Sequence, residues 1–317
     1  MNLLRGVSAA LAVVAFSVVA YGQGPIALIP RAPSMAPDPA PSARLRVDLN
    51  LVLVPVTVCD PMNRPVTGLE KESFRVFDDN AEQKITAFTQ EDAPVAVGLV
   101  FDTSGSMGAK LRLSREAAAA FFQTANPEDE FFLVEFSDSP KLVVPITRNT
   151  QDIQDHLTFS QSKGRTALLD AVMLAMHELK KSKVERKALL VISDGGDNCS
   201  RYTETELKNL VKESDAIVYA IGIYGGASTP EEVAGPQLLT DIAEQSGGRQ
   251  LPAQGADIPD IAAKIGVELR NRYILGYSPA AGHRDGRYHP VQVKIVPPRG
   301  LPTLKAFWRH GYYAPTE

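Results

Sequence analysis

The sequence predicts an α/β fold: a doubly wound, mostly parallel sheet inserted into a β-sandwich formed by the N- and C-terminal segments. Three observations carry this. Between Val95 and Leu269, apolar runs of strand length alternate with amphipathic helical stretches, the pattern of a parallel sheet with helices on both faces. On either side, residues 45–94 and 270–317 show strand-like runs separated by turn residues. The C-terminal stretch is too short to make a stable sheet alone, so it most economically completes the sheet begun near Leu45.

The N-terminus has a composition of its own. Arg5 is the only charge before Arg31, Val7 to Ala20 is apolar, and small residues stand at Ala20 and Gly22. This reads as a signal peptide over residues 1–22, implying a secreted or periplasmic, cell-envelope protein with no integral span after cleavage. Retention as an anchor is the alternative, although the run is short for a bilayer. Residues 23–44 are rich in Pro and Ala and read as an extended linker.

The elements follow in order. In the first β segment, 45–94, Leu45 to Leu51 alternates apolar and polar residues, and Val52 to Val58 is nearly all apolar. Pro55 there suggests a bulge or a sheet edge. Phe74 to Phe77, a turn at Asp78-Asp79-Asn80, and Lys84 to Phe88 read as a hairpin. The inserted domain, 95–269, begins with Val95 to Phe101, a run suited to a strand buried on both faces. Leu111 to Ala125 is a helix stopped by Asn126-Pro127. Phe131 to Phe136 and Leu142 to Ile146 form an antiparallel pair. Helix Thr166 to Lys180, strand Ala188 to Ile192, helix Glu204 to Ser214 and strand Ile217 to Ile223 come next, and helices Gln237 to Gln245 and Ile258 to Leu269 close the domain. The second β segment, 270–317, holds strands at Tyr273 to Tyr277, Val291 to Ile295 and Thr303 to Trp308.

Composition bounds the function. The 317 residues carry 33 Lys+Arg and 37 Asp+Glu, a formal charge of −4, which argues against a basic nucleic-acid footprint. Two cysteines cannot build a disulfide scaffold or a four-cysteine zinc site. Cys59 and Cys199 fall in different predicted domains, and a bond between them is left open.

The residues that point to chemistry follow two of the buried strands. Asp102-Thr103-Ser104-Gly105-Ser106 comes after the first, Ser193-Asp194-Gly195-Gly196-Asp197 after Ala188 to Ile192, and Gly164-Arg165-Thr166 opens a helix between them. Loops at the carboxyl ends of strands in such a sheet converge on one crevice. Asp102, Ser104, Ser106, Thr166 and Asp194 would then offer only oxygen, two carboxylates and three hydroxyls. That set suits a hard divalent cation, Mg²⁺ better than zinc.

On these motifs the chain resembles a von Willebrand factor type A domain with a metal-ion-dependent adhesion site, and more loosely an exported bacterial family built on that domain. The resemblance implies one Mg²⁺ (or Mn²⁺ or Ca²⁺), bound directly by Ser104, Ser106 and Thr166 and through water by Asp102 and Asp194. It also implies a partner protein whose Asp or Glu carboxylate completes the coordination, and no catalytic residues. Gly108-Ala109-Lys110 lacks the acidic pair that a second, adjacent metal would need.

Two other readings stay open. Asp102-Thr103-Ser104-Gly105-Ser106 is similar to the nucleophile loop of haloacid-dehalogenase-like phosphatases, but Ser104 stands where their acid/base carboxylate is required. A structural envelope protein with a stabilising metal is the third class. Among remaining residues, the histidines show no ligand spacing. Lys180, Lys181, Lys183, Arg186 and Lys187 read as charge complementing a helix C-terminus. Asp170, one turn after Thr166, reads equally as support for that loop or as a solvated position.

Overall fold

The structure is a computed structural model that describes residues 51–90, 92–225, 230–253, 257–279, 285–298 and 300–316. The signal peptide expected over 1–22, the linker over 23–44 and the strand pattern of Leu45 to Asn50 lie outside the described residues.

The α/β region runs β5 (Val95–Asp102), α1 (Leu111–Phe122), β6 (Glu130–Phe136), β7 (Pro140–Thr147), α2 (Thr150–Phe159), α3 (Leu168–Leu179), β8 (Arg186–Ser193), α4 (Glu204–Glu213), β9 (Ile217–Ile223), α5 (Pro230–Gln245), β10 (Gln250–Ala253) and α6 (Ile258–Arg270). It is preceded by β1 (Val52–Cys59), β2 (Phe74–Asp78), β3 (Ala81–Gln83) and β4 (Ala87–Gln90), and followed by β11 (Tyr273–Tyr277), β12 (Tyr288–Ile295), β13 (Lys305–Trp308) and β14 (Gly311–Tyr313).

Six strands form the central sheet in the order β10-β9-β8-β5-β6-β7, parallel throughout except for β7. Every residue of β5 is buried, which is why its sequence is an unbroken apolar run ending in Asp102. Its side chains alternate between two cores. Val97, Leu99 and Phe101 pack with α1, α2 and α6 on one face, while Ala96 and Val100 pack with α3, α4 and α5 on the other. At Gly98 the space is taken by Phe132 and Leu189, so a side chain cannot fit.

Both chain ends build the flanking sandwich. One sheet has the order β13-β1-β11-β4 and the other β14-β12-β2-β3. Val54, Val56, Phe74, Val76, Tyr273, Leu275, Val291 and Val293 form their shared core.

Several expectations need correction. The hairpin partner of β2 begins at Ala81, not Lys84, because Asp79 and Asn80 both take positive φ (47° and 66°) and close a two-residue turn. Ala87–Gln90 then crosses to the other sheet and pairs with β11. The strand β1 is interior, with no bulge at Pro55. Its pairing with β13 starts only at Val56, so Pro55 has a partner, Ile274, on one side alone and needs no second ladder bond. The helix α2 and strands β10 and β14 had no counterpart in the sequence reading. Arg186 and Lys187 lie on β8, not at a helix end. Both cysteines are free.

The sandwich is fastened to the α/β region through buried charge. Arg249, following the turn after α5, grips Glu268 of α6 with Nε (3.2 Å) and Nη2 (2.5 Å). Tyr219 of β9 donates to Glu268 at 2.8 Å, and Arg249 reaches Asn63 at 2.8 Å and covers the Phe307 ring of β13. Burial beside Glu268 pushes the Cys59 thiol up to about 12, so it stays protonated. Breaking a buried pair from one side strands the other charge. Glu268→Ala should therefore cost about 3–5 kcal/mol in urea unfolding; a loss below about 1 kcal/mol would show the pair to be inert.

A second polar link lies inside the sandwich, where His289 contacts Asp79 (2.7 Å) and Asp285 (3.1 Å). Burial disfavours the charged imidazole, but these hydrogen bonds outweigh it and raise its pKa above 6.5. The resulting stability is complete below about pH 6.5 and lost as pH rises through the higher folded-state value. The melting temperature should fall over that range in the native chain and less so in His289→Gln; parallel profiles would contradict this.

Candidate metal centre

Parallel pairing of β5 with β8 places Phe101 opposite Ile192, so Asp102 and Ser193 end adjacent strands. The two loops interlock there. Ser193 donates its hydroxyl to Asp102 Oδ2 at 2.5 Å, the Ser104 N–H donates to Asp102 Oδ1 at 2.8 Å, and the Gly195 N–H donates to the Ser193 hydroxyl at 2.9 Å. Ser104 and Ser106 flank a tight turn, and their hydroxyls lie 3.1 Å apart.

Glycine is favoured at one point of these loops and required at another. The Gly105 N–H bonds the Gly164 carbonyl at 3.0 Å, and a Cβ at Gly105 would sit 3.1 Å from that same oxygen. Gly195 has φ +83°, and a side chain there would collide with the Gly235 backbone.

The Thr166 loop is tied to both others. Its Lys163 N–H bonds Thr103 O at 2.8 Å, Thr166 N–H bonds Asn198 Oδ1 at 2.9 Å, and Asn198 N–H returns to Thr166 O at 3.0 Å. No residue of its own caps α3. Asp197 accepts from the Leu169 N–H instead, and Asp170 Oδ1 accepts from the Arg201 and Tyr202 N–H groups. Asp170 thus holds the 201–202 stretch while staying partly exposed.

The electrostatics are unusual. Asp102 is fully buried and Asp194 is 3% exposed. Burial raises the Asp102 pKa to about 6 against its Ser104 and Ser193 hydrogen bonds, and the charge of Asp194 adds to the rise. Asp194 Oδ2 pairs with Lys110 Nζ at 2.7 Å, while its Oδ1 is buried with no hydrogen-bond partner. Of the two buried carboxylates only Asp194 has an ammonium partner, Asp102 being held by neutral donors, and one oxygen of Asp194 is unused. With the Ser104 and Ser106 hydroxyls side by side and Thr166 on the loop tied to theirs, the donor set is all oxygen, the kind a hard divalent cation prefers.

All five residues singled out in the sequence belong to these three interlocked loops. The sequence reading missed Lys110, Ser193 and Asn198. Lys110 carried a signal: a cation directly before a helix opposes the helix dipole, so its charge is used elsewhere. A separate cluster, Asp78, Asp79 and His289, lies in the sandwich, and there Asp78 accepts from the hydroxyls of Tyr277 and Tyr312.

Residues 97–196 match the family model described as the von Willebrand factor type A domain. The chain carries a von Willebrand factor type A domain. An uncharacterized protein of Borreliella burgdorferi is 26% identical over 177 residues, 47% of this chain and 51% of that protein. Inter-alpha-trypsin inhibitor heavy chain H4 of Bos taurus is 28% identical over 134 residues, 38% of this chain and 15% of that one. This chain thus spans about half the length of the first relative and less of the second. A solved von Willebrand factor type A structure from Catenulispora acidiphila shares the fold, with a TM-score of 0.50, 13% identity and coverage of 78% of this chain and 74% of that one. A domain of this family supports a role in protein interaction.

Lys110→Met removes the partner of a buried carboxylate. Without metal it should lower stability by about 1–3 kcal/mol, and saturating Mg²⁺ should recover more melting temperature in the variant than in the native chain. Equal recovery in both would show that Lys110 does not share the site's charge.

Proposed function

We propose that the von Willebrand factor type A domain binds a partner protein through one divalent cation, Mg²⁺ by preference. Ser104, Ser106 and Thr166 would hold the ion directly, with Asp102 and Asp194 acting through water. The bound ion would supply a positive, electrophilic point for an Asp or Glu carboxylate of the partner. The unused, buried Asp194 Oδ1 is the observation that carries this reading, since a buried anionic oxygen without a donor calls for a cation.

The chain's own residues prepare the site. Ser193 and the Ser104 N–H hold Asp102 in one orientation, and Asn198 fixes the Thr166 backbone. Because hydroxyls outnumber carboxylates, little negative charge faces an incoming acidic group. We read the chain as an exported adhesion or interaction module of the cell envelope, without catalysis of its own. Among the described residues no helix is long and apolar enough to cross a membrane.

The test uses melting temperature with Mg²⁺ or Mn²⁺ and then with chelator. At an ion concentration a hundred times the Kd, a single site should add about 2.7 kcal/mol. Asp102→Ala and the less buried Ser106→Ala should both lose that gain. A pull-down from envelope extract should recover a partner with metal and not with chelator. Metal-dependent stability without recovery would favour a structural metal, and hydrolysis of a generic phosphate ester lost in Asp102→Ala would favour the phosphatase reading.

A further inference from the structure

The parallel strands begin at the opposite pole from the metal centre, and there the α/β region meets the sandwich around a cavity of about 660 Å³. That volume is in the range that accommodates a small organic molecule. Leu53, Ile217 and Ile274 contribute apolar wall, while Arg186, Lys187, Arg272 and Arg309 outnumber the acidic Glu185 and Asp215 in the lining.

Arg272 is the informative member. It sits between α6 and β11 and is 4% exposed. Among the described residues it has no hydrogen-bond or ion-pair partner. The other buried arginines nearby are paired: Arg249 with Glu268, and Arg270 with Asp129. Arg309 on the rim holds Asp215 at 2.8 Å.

No neighbour among the described residues supplies Arg272 with a bonded counter-charge. Tyr219 is held as a neutral phenol, its pKa driven well above 10 by burial and by Glu268. Glu268 itself is already engaged by Arg249 and Tyr219. Burial pulls the Arg272 pKa down and Arg186 adds repulsion, and the opposing pull of Tyr219 and Glu268, which acts without a hydrogen bond, does not cancel them. Leaving a buried guanidinium unpaired is costly, and a planar fork of donors in the lining of a cavity matches an oxyanion.

We propose that this cavity binds a small organic carboxylate, its head group paired with Arg272 and its apolar body against Leu53, Ile217 and Ile274. Arg186 and Lys187 raise the local positive potential around that head group. The site is separate from the metal centre, and its occupant needs no divalent ion.

Calorimetric titration of the full chain in chelator tests this with octanoate as the probe, beside octanol and inorganic phosphate. The chelator removes metal-dependent carboxylate binding from the readout. Octanoate should bind with one site per chain, and octanol should bind at least tenfold more weakly. Arg272→Met should weaken octanoate at least tenfold, and it removes an unpaired buried charge that folding does not use. Leu53→Asp, on an exposed part of the wall, should weaken it at least fivefold by repelling the anion. Failure of octanoate to bind, equal binding of octanol, or unchanged affinity in Arg272→Met would overturn the proposal. Phosphate binding as tightly as octanoate would replace it with a bare oxyanion site.

Discussion

The arrangement of this molecule depends on two carboxylates, Asp102 and Asp194, brought to the ends of neighbouring parallel strands and buried there. Parallel pairing aligns the strand ends, so the register of β5 with β8 decides that the two loops meet. Burial makes their charge expensive, and among the described residues Lys110 offsets that of Asp194. The dense bonding of Ser193, Gly195, Asn198 and Thr166 follows from this constraint, since a loop carrying buried charge must satisfy its other polar groups internally.

Much of this is legible in sequence because of where each residue lies. Strands β5, β8 and β9 are covered on both faces, and that forces continuous apolar runs that stand out without any alignment. Asp102, Ser104, Ser106, Thr166 and Asp194 stand out because they interrupt or follow such runs at strand ends and helix starts. The strands β3, β10 and β14, at 3–4 residues, are too short to show a period. Helix α2 buries only Ile153 and Leu157, too sparse a stripe to register against its polar residues.

Tertiary pairing was not legible. Lys110 finds its carboxylate 84 residues away, and the basic run near Lys180 divides between a helix end and a strand start. Lys181 pairs with Glu178, while Arg186 and Lys187 turn toward the cavity at the sandwich. The unpaired state of Arg272 is likewise a property of packing. The same holds for the sandwich, where the two chain ends share one core and α6 is fastened to it through Glu268 and Arg249.

The proposed function requires that these loops hold one divalent ion with a coordination position open to a carboxylate. Water-proton relaxation of Mn²⁺ added to chelator-treated protein tests it most directly. Relaxation should be enhanced and saturate at one ion per chain, fall when a short Asp-containing peptide displaces bound water, and show no enhancement over free Mn²⁺ in Asp194→Ala. An enhancement untouched by acidic peptide would mean a closed, structural ion. No enhancement at all would contradict the claim outright.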